Sequence, residues 1–240
     1  MRFFLFLMAP FFFDSPAIAQ NAIALDALRA AYLAKEKGNW ADALRLAHPA
    51  GDVGVDLIEW DRLRAGKGEF SATVEFLARR PDWPGLPYLR KRSEATIKAD
   101  TPPEDVIRFF EGQMPGTAQG SLRLAKALAT QGQATAAIAA AHWGWSSFSM
   151  DMELEEEFQD SFGVDLATMH AVRLDMLLWR GDKSSSERML PVVRSGQARL
   201  ATARLALQKN KNGVTALLAN VPSSLKLDPG LAFDRFQWRL

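Results

Sequence analysis

The chain contains no cysteine among its 240 residues, and this absence excludes disulfide bonds, thiolate zinc sites and a cysteine nucleophile. It also lacks an excess of charge of either sign, because 29 lysines and arginines are balanced by 28 aspartates and glutamates. The resulting formal net charge of +1 gives no long-range field that would attract nucleic acid, so we expect no nucleic-acid partner.

Residues typical of β-strands are scarce, since the chain has 10 Val, 6 Ile and 2 Tyr against 37 Ala and 30 Leu. Alanine and leucine are strong helix formers, and the imbalance therefore predicts an all-α fold. Hydrophobic residues make up 48% of the chain and charged residues 24%, a composition typical of folded globular proteins rather than disordered ones.

The amino-terminal segment has the pattern of a secretory signal peptide. Arg2 supplies a positive start, Phe3–Phe13 is an almost unbroken apolar run, and Ala17-Ile18-Ala19 provides the small residues that signal peptidase requires. We therefore predict a signal peptide at residues 1–19, cleaved between Ala19 and Gln20.

The apolar run is too short to span a membrane, because its 11 residues fall well below the number a bilayer requires. We expect a mature domain at residues 20–240 that is exported to the periplasm and makes no stable membrane insertion after the signal is removed. An N-terminal membrane anchor is the alternative interpretation.

A glycine turn recurs along the rest of the chain, with a polar or basic residue before the glycine and an apolar stretch beginning shortly after it. The glycines lie 30, 64, 49 and 32 positions apart, so most spacings are near one or two periods of 32 and the 49 indicates an insertion. This period is typical of helix–turn–helix repeats of the tetratricopeptide type. The five turns are Lys37-Gly38-Asn39, Lys67-Gly68-Glu69, Gln131-Gly132-Gln133, Arg180-Gly181-Asp182 and Asn212-Gly213-Val214.

Each glycine is expected to end one helix in the left-handed conformation, and the polar residue after it to cap the next helix. Where the glycine is missing, Asp100 or Thr101 is expected to cap a helix that begins with proline. Two-helix units leave an apolar face unburied, so we predict that they stack into a right-handed superhelix, a solenoid of helical hairpins. The alternative is coincidence, because glycines fall at turns in any helical protein.

The spacing of apolar residues predicts where the helices lie. Residues 143–165 are interpreted as an insertion into the repeat. The helical spacing also predicts one core stripe, at Met169, Val172, Met176 and Leu177. Helices are predicted over residues 22–37, 40–47, 55–65, 70–79, 86–98, 103–111, 117–130, 134–141, 167–178, 185–193, 197–208, 214–219 and from 228 onward.

No group of residues in the sequence predicts an active site. The three histidines, at positions 48, 142 and 170, are scattered and are interpreted as structural, and motifs for phosphate loops, dinucleotide binding and nucleophile elbows are absent. The acidic run at Glu153 and Glu155–Glu157 lacks the ligand spacing of a calcium loop and is interpreted as a solvated helix face. We therefore predict no catalytic residue, no cofactor and no metal site.

Aromatic residues give a more suggestive pattern at the head of the insertion. Trp143, Trp145 and Phe148 lie close together in sequence, and exposed indole rings are used for stacking on sugar rings. These three residues are candidates for contact with a glycan. The alternative is that the rings fill gaps between helices.

Several segments in order along the chain resemble the soluble lytic murein transglycosylases. The segment Asp82-Trp83-Pro84-Gly85 with Leu89-Arg90-Lys91-Arg92-Ser93-Glu94 is similar to the DWPG-x-x-x-LRxRxE sequence of that family. The resemblance covers residues from about 55 to 240 and lies in the amino-terminal α-superhelical region of the family. The other similar segments are residues 158–163, 173–181, 188–193, 203–208 and 228–232.

The resemblance implies a function in the cell wall. The family cleaves the peptidoglycan bond between N-acetylmuramic acid and N-acetylglucosamine without water and leaves a 1,6-anhydro product. The glutamate that acts as acid and base stands in a Glu-Ser motif followed by Gly-Leu-Met-Gln, and the chain contains neither motif, so no catalytic residue carries over.

We therefore expect the non-catalytic, peptidoglycan-embracing region of a periplasmic lytic transglycosylase, truncated before its lysozyme-like catalytic domain. The expected partner is the glycan strand of peptidoglycan. The alternative is a periplasmic helical-repeat scaffold that binds another protein and has no enzymic activity.

Overall fold

The computed structural model of the chain describes residues 16–240, with side chains from Gln20 onward. The predicted signal peptide therefore lies outside the residues whose side chains are described. Throughout residues 16–240 the secondary structure is helical with no strand, which confirms the predicted all-α class. In the same range, none of the helices combines the length and the apolar character needed to cross a bilayer.

The described residues form a succession of short helices, several of which match the sequence prediction closely. Short 3₁₀ turns at residues 48–50, 94–96, 167–169 and 223–225 link some of them. The α-helices are α1 (Pro16–Glu36), α2 (Trp40–Ala47), α3 (Gly51–Arg64), α4 (Phe70–Arg79), α5 (Leu86–Ser93), α6 (Pro103–Phe109), α7 (Ala118–Thr130), α8 (Ala134–Ser147), α9 (Met152–Leu166), α10 (His170–Trp179), α11 (Lys183–Met189), α12 (Ser195–Gln208), α13 (Val214–Ala219) and α14 (Pro229–Arg239).

The predicted glycine turns join the two helices of successive hairpins. At the α7–α8 turn, Gly132 has a φ of +74°, a conformation that costs a residue with a Cβ about 1–2 kcal/mol. Its amide donates to the Ala129 carbonyl at 3.0 Å, and the next amide, of Gln133, donates to the Leu128 carbonyl at 2.9 Å. This pair of hydrogen bonds is the Schellman arrangement that closes a helix C-terminus. The same pair of bonds occurs at the turns centred on residues 38, 66, 181 and 210.

Two of the five predicted turn glycines are wrong in position. The left-handed residue between α3 and α4 is Gly66, with a φ of +69°, rather than Gly68. A Cβ on Gly68 would lie 2.3 Å from Leu63 Cδ2, so this glycine permits close packing. The residue that ends α12 in the left-handed conformation is Asn210, with a φ of +51°. Gly213 is also left-handed, with a φ of +81°, but it precedes α13 as its N-cap.

The caps agree with the prediction in part. The side chains of Asn39 and Asp182 accept hydrogen bonds from amides in the first turns of α2 and α11, at 3.3 and 3.1 Å. The predicted cap of α6 by Asp100 or Thr101 is wrong, because the N-cap residue is Pro102. Thr101 Oγ1 instead accepts a hydrogen bond from the Lys98 amide at 3.0 Å. Pro103 does begin α6, where its missing amide hydrogen costs nothing.

Residues 143–165, interpreted as an insertion into the repeat, complete α8 and form α9, a helix absent from the predicted ranges. Phe158 and Leu166 of α9 are fully buried in the same core as α7, α8 and α10. The core stripe predicted on α10 is wrong in part. Val172 is 50% exposed, and the buried apolar residues of this helix are Leu174, Leu177 and Leu178.

The described chain divides into two compact units, one up to Ser93 and one from Glu94 to Leu240. In the first unit α1 contacts α2 and α3, and α3 contacts α4 and α5. Among α1, α2 and α3 the buried apolar residues are mostly alanine, with Ala31, Ala43 and Ala47 fully buried beside Ile58. Small side chains allow the helix axes to approach closely. Larger side chains, including Phe76 and Leu89, are fully buried in α4 and α5. Asp56 of α3 then joins α4 through Arg79 and Arg80, at 2.8 and 2.6 Å.

In the second unit each hairpin contacts the next along the chain. Helices α7 and α8 pack together, α8 contacts α9 and α10, and α12 contacts α10, α13 and α14. The main apolar core extends from α7 to α12, and a smaller core lies among α12, α13 and α14. Helices α10, α12 and α14 thereby meet at one end of this unit.

Candidate functional site

The aromatic residues proposed for glycan contact occupy very different environments. Trp145 is 1% exposed and lies against the rings of Phe158 and His170, at centroid distances of 5.9 and 5.8 Å. It therefore offers no ring face to a ligand in solution and fills a gap between helices. Trp143 is 38% exposed, donates a hydrogen bond to the Pro115 carbonyl at 2.9 Å, and meets the half-buried Phe148 edge to face.

Arg173, which is fully buried, forms the centre of an ion network under Trp145. Its Cζ lies 4.2 Å from the Trp145 ring centroid, and its Nη1 donates to the carbonyls of Trp145 and Phe148. Its Nη2 donates to Glu155 Oε1 at 2.5 Å, and Arg188 Nε donates to the other oxygen of Glu155 at 2.6 Å. Burial lowers the pKa of Arg173, although the Glu155 carboxylate opposes that shift.

The interpretation of the acidic run as a solvated face is wrong for Glu155, which is 8% exposed. Glu157 is also paired, with Arg123 and Lys126 at 2.8 and 2.6 Å. Glu153 and Glu156 are exposed as predicted. The run therefore joins α9 to α7, α10 and α11 through two carboxylates, while the other two face solvent.

His170 packs against Trp145 beside this network, and its environment makes stability depend on pH. Burial, together with the positive charge of Arg173, lowers the pKa of His170 below the ordinary 6.5. The folded state therefore favours the neutral ring, whereas the unfolded chain takes up a proton as the pH falls through 6.5.

We expect the free energy of unfolding to fall as the pH is lowered from 7 to 5, with a slope of at most about 1.4 kcal/mol per pH unit from this group. Urea denaturation at a series of pH values measures the slope. The same series on His170→Gln, which retains His48 and His142, should show a shallower dependence. An unchanged slope in this variant would assign the pH dependence to other groups.

A second buried arginine lies where α10, α12 and α14 meet, and it is surrounded by carboxylates. Arg204 of α12 is fully buried; its Nε donates to Asp234 at 2.7 Å and its Nη1 donates to Asp175 at 2.8 Å. Asp228 lies 3.7 Å from the same Nη1. Gln208 completes the network by donating to Asp234 at 3.0 Å. Among residues 16–240, Arg204 Nη2 has no hydrogen-bond acceptor.

A glycine makes this approach of helices possible. A Cβ placed on Gly230, in the first turn of α14, would lie 2.1 Å from Arg204 Cζ. The Asp228 side chain caps the same turn by accepting a hydrogen bond from the Leu231 amide at 2.7 Å. The sequence Asp228-Pro229-Gly230 therefore caps the helix, begins it, and leaves room for the guanidinium.

A cavity of about 150 Å³ opens between α10 and α12 beside this network. Its apolar wall includes Leu174, Leu178 and Leu200, and its polar lining is Asp175, Gln197, Arg204 and Asp228. The Asp175 side chain is 56% exposed, so it can reach both the cavity and solvent.

Two half-exposed aromatic rings lie next to the same arginine. Trp179, one helical turn beyond Asp175, is 49% exposed, and Phe233 of α14 is 47% exposed. Their ring centroids are 5.4 Å apart, and Arg204 Cζ lies 5.2 Å from the Trp179 ring. Neither ring lines the cavity, but Arg204 contacts both the cavity and the Trp179 ring. We call the cavity and this aromatic pair together the Trp179 cleft. It combines aromatic surface, free carboxylate oxygens and an apolar wall.

The sequence did not point to this cleft as a site. Trp179, Arg204 and Asp228 come from three separate segments, and only the fold brings them together. Within residues 16–240 no group of three or more potential metal ligands lies together.

The fold and the cleft define an all-α protein of stacked helices with a polar and aromatic cleft, and they do not by themselves define its chemistry. Comparison of the chain with protein-family models, with curated proteins and with solved structures found no match.

Proposed function

We propose that the chain is the non-catalytic, peptidoglycan-embracing region of a periplasmic soluble lytic transglycosylase. In this proposal it forms a right-handed superhelix of helical hairpins that holds glycan strands and cleaves none of them. The proposed export of the chain to the periplasm is supported by the signal-peptide pattern that ends at Ala19.

The observation that carries the proposal is the role of the segments that resemble the family. Residues 173–181, 203–208 and 228–232 supply Arg173, Arg204 and Asp228, which lie in the ion networks described above. Residues 188–193 begin with Arg188, which bonds to Glu155. The resemblance therefore falls on contacts that hold neighbouring helices together, which is expected if the shared property is the architecture.

The superhelical part of the proposal is supported by the order of helix contacts within each unit. Hairpins contact their sequence neighbours, as in repeat proteins, and buried alanines shorten the distance between helices. Repeat arrays of this kind provide long concave surfaces suited to a polymer.

A second candidate is a scaffold that binds another protein. It is favoured by apolar side chains on the last turns of α14, where Phe236 is 59% and Trp238 is 44% exposed. Large exposed aromatics are enriched at protein interfaces.

Co-sedimentation with purified sacculi tests the proposal. We expect the full chain to pellet with intact sacculi, to remain soluble without them, and to release no 1,6-anhydro muropeptides. Sacculi digested with a muramidase serve as the control, because they contain the same peptides without long glycan strands. A chain that stays in the supernatant with intact sacculi would contradict glycan binding, and released anhydro products would contradict the non-catalytic role.

A further inference from the structure

We propose that the Trp179 cleft binds the pyranose rings of an uncharged N-acetylated sugar chain, with one ring on the aromatic pair and the edge of a neighbouring ring entering the cavity. The choice of an amino-sugar polymer rests on the proposed function. The choice of this cleft rests on its own geometry and charge.

The size of the cavity suits the edge of a single sugar ring. Its volume is about 150 Å³, and a protein cavity of about this size holds a benzene molecule, so part of a larger N-acetylated sugar ring can enter it. Its wall is apolar on the side of Leu174, Leu178 and Leu200, which matches the C–H face of a pyranose. Its polar lining matches the hydroxyl edge of the same ring.

The aromatic pair provides the adjoining surface. Trp179 and Phe233 each leave about half of their surface open, although both are large apolar side chains. Arg204 holds the indole from the buried side, so its position is fixed by packing and by the ion network. A fixed, half-exposed indole offers stacking surface at little entropic cost.

The polar groups suit hydroxyl and amide groups. One carboxylate oxygen of Asp175 accepts a hydrogen bond from Arg204. The side chain remains 56% exposed, so it can also accept hydrogen bonds from sugar hydroxyls. Gln197 adds an amide that both donates and accepts.

The charge of the cleft disfavours an anion. Three carboxylates, Asp175, Asp228 and Asp234, surround the single guanidinium of Arg204. Phosphate or carboxylate ligands would therefore meet net negative charge. An uncharged acetamido sugar avoids that repulsion and still uses the carboxylate oxygens.

The test is a titration of the full chain, labelled with 5-fluorotryptophan, with the tetrasaccharide of N-acetylglucosamine. The Trp179 fluorine signal is assigned by its absence from Trp179→Phe. We expect this signal to shift with added sugar, and the dissociation constant measured by calorimetry to rise about tenfold in Trp179→Ala and in Asp175→Asn. Trp179→Phe should retain most of the affinity, because it keeps an aromatic face.

Trp238→Ala is the matched control, since Trp238 is a similarly exposed tryptophan of α14 that does not belong to the Trp179–Phe233 pair. Equal affinities for Trp179→Ala and the wild type would overturn the assignment. So would a Trp179 signal that responds to tetramethylammonium chloride and not to the sugar, because that result identifies a cation site.

Sacculus binding separates this inference from the proposed function. If Trp179→Ala pellets with sacculi as the wild type does, the cleft is wrong and the proposed function stands. If the wild type binds the tetrasaccharide but does not pellet with sacculi, the cleft stands and the proposed function is wrong.

Discussion

Replacing Glu155 with alanine is expected to lower the free energy of unfolding by about 3–5 kcal/mol. Arg173 is fully buried, and Glu155 is its carboxylate partner at 2.5 Å. Removing that partner leaves a guanidinium in the interior without a counter-charge, and the two backbone carbonyls that remain cannot compensate for its charge. The same change releases Arg188 of α11 from its bond to α9.

Chemical denaturation of the full chain measures this loss, and Glu156→Ala is the matched control. Glu156 lies next to Glu155 on α9 and is exposed, so its removal should change stability by less than about 0.5 kcal/mol. Similar losses for the two variants would show that the buried network does not hold α9 in place.

Gly230→Ala is expected to cost about 3 kcal/mol, although alanine ordinarily stabilises a helix relative to glycine. The new methyl would lie 2.1 Å from Arg204 Cζ, so the guanidinium has to move. An arginine at the surface would move at little cost. Arg204 is buried and bonded to Asp234 and Asp175, and moving it breaks those pairs.

Gly196→Ala provides the comparison, because Gly196 holds the same second position in α12 that Gly230 holds in α14. A Cβ at Gly196 would meet Pro222 Cγ at 3.4 Å, an ordinary contact. We expect this variant to be neutral or up to about 1 kcal/mol more stable. If Gly230→Ala were equally stable, the Arg204 guanidinium could adopt another position without loss of stability. The ion network would then not fix α14.

The composition and the apolar spacing were sufficient to predict the all-α class and most helix bounds. The bounds of α2, α4 and α13 agree at both ends. The missed helix α9 carries Leu154, Phe158, Phe162 and Leu166 at intervals of four, and Asp151 caps its start. The apolar spacing of α9 was therefore visible in the sequence. The run of glutamates within it was nevertheless interpreted as a solvated helix face, and the segment as an insertion.

The turn positions were less predictable, because two neighbouring glycines can do different jobs. Glycine is required at position 66 by the left-handed backbone and at position 68 by the close contact with Leu63. The preceding residue, small in the first case and basic in the second, does not distinguish the two roles. At the end of α12 the left-handed position is taken by Asn210, as asparagine can do, while the left-handed Gly213 caps the start of α13.

The candidate site could not be predicted from sequence, because it depends on long-range contacts. Trp179 and Phe233 are 54 positions apart, and Trp179 stands in no aromatic cluster of the sequence, although Phe233 lies close to Phe236 and Trp238. Trp145, in contrast, stands in such a cluster and is buried. The closeness of aromatic residues in the sequence therefore does not predict whether their side chains are exposed.

The central claim is that the chain binds the glycan strand of peptidoglycan, and competition with isolated components tests it most directly. The full chain is bound to intact sacculi and then challenged with peptide-free glycan strands, or with free stem peptides at equal mass. We expect the glycan strands to release the chain into the supernatant and the peptides to leave it in the pellet. Release by the peptides alone would contradict the claim.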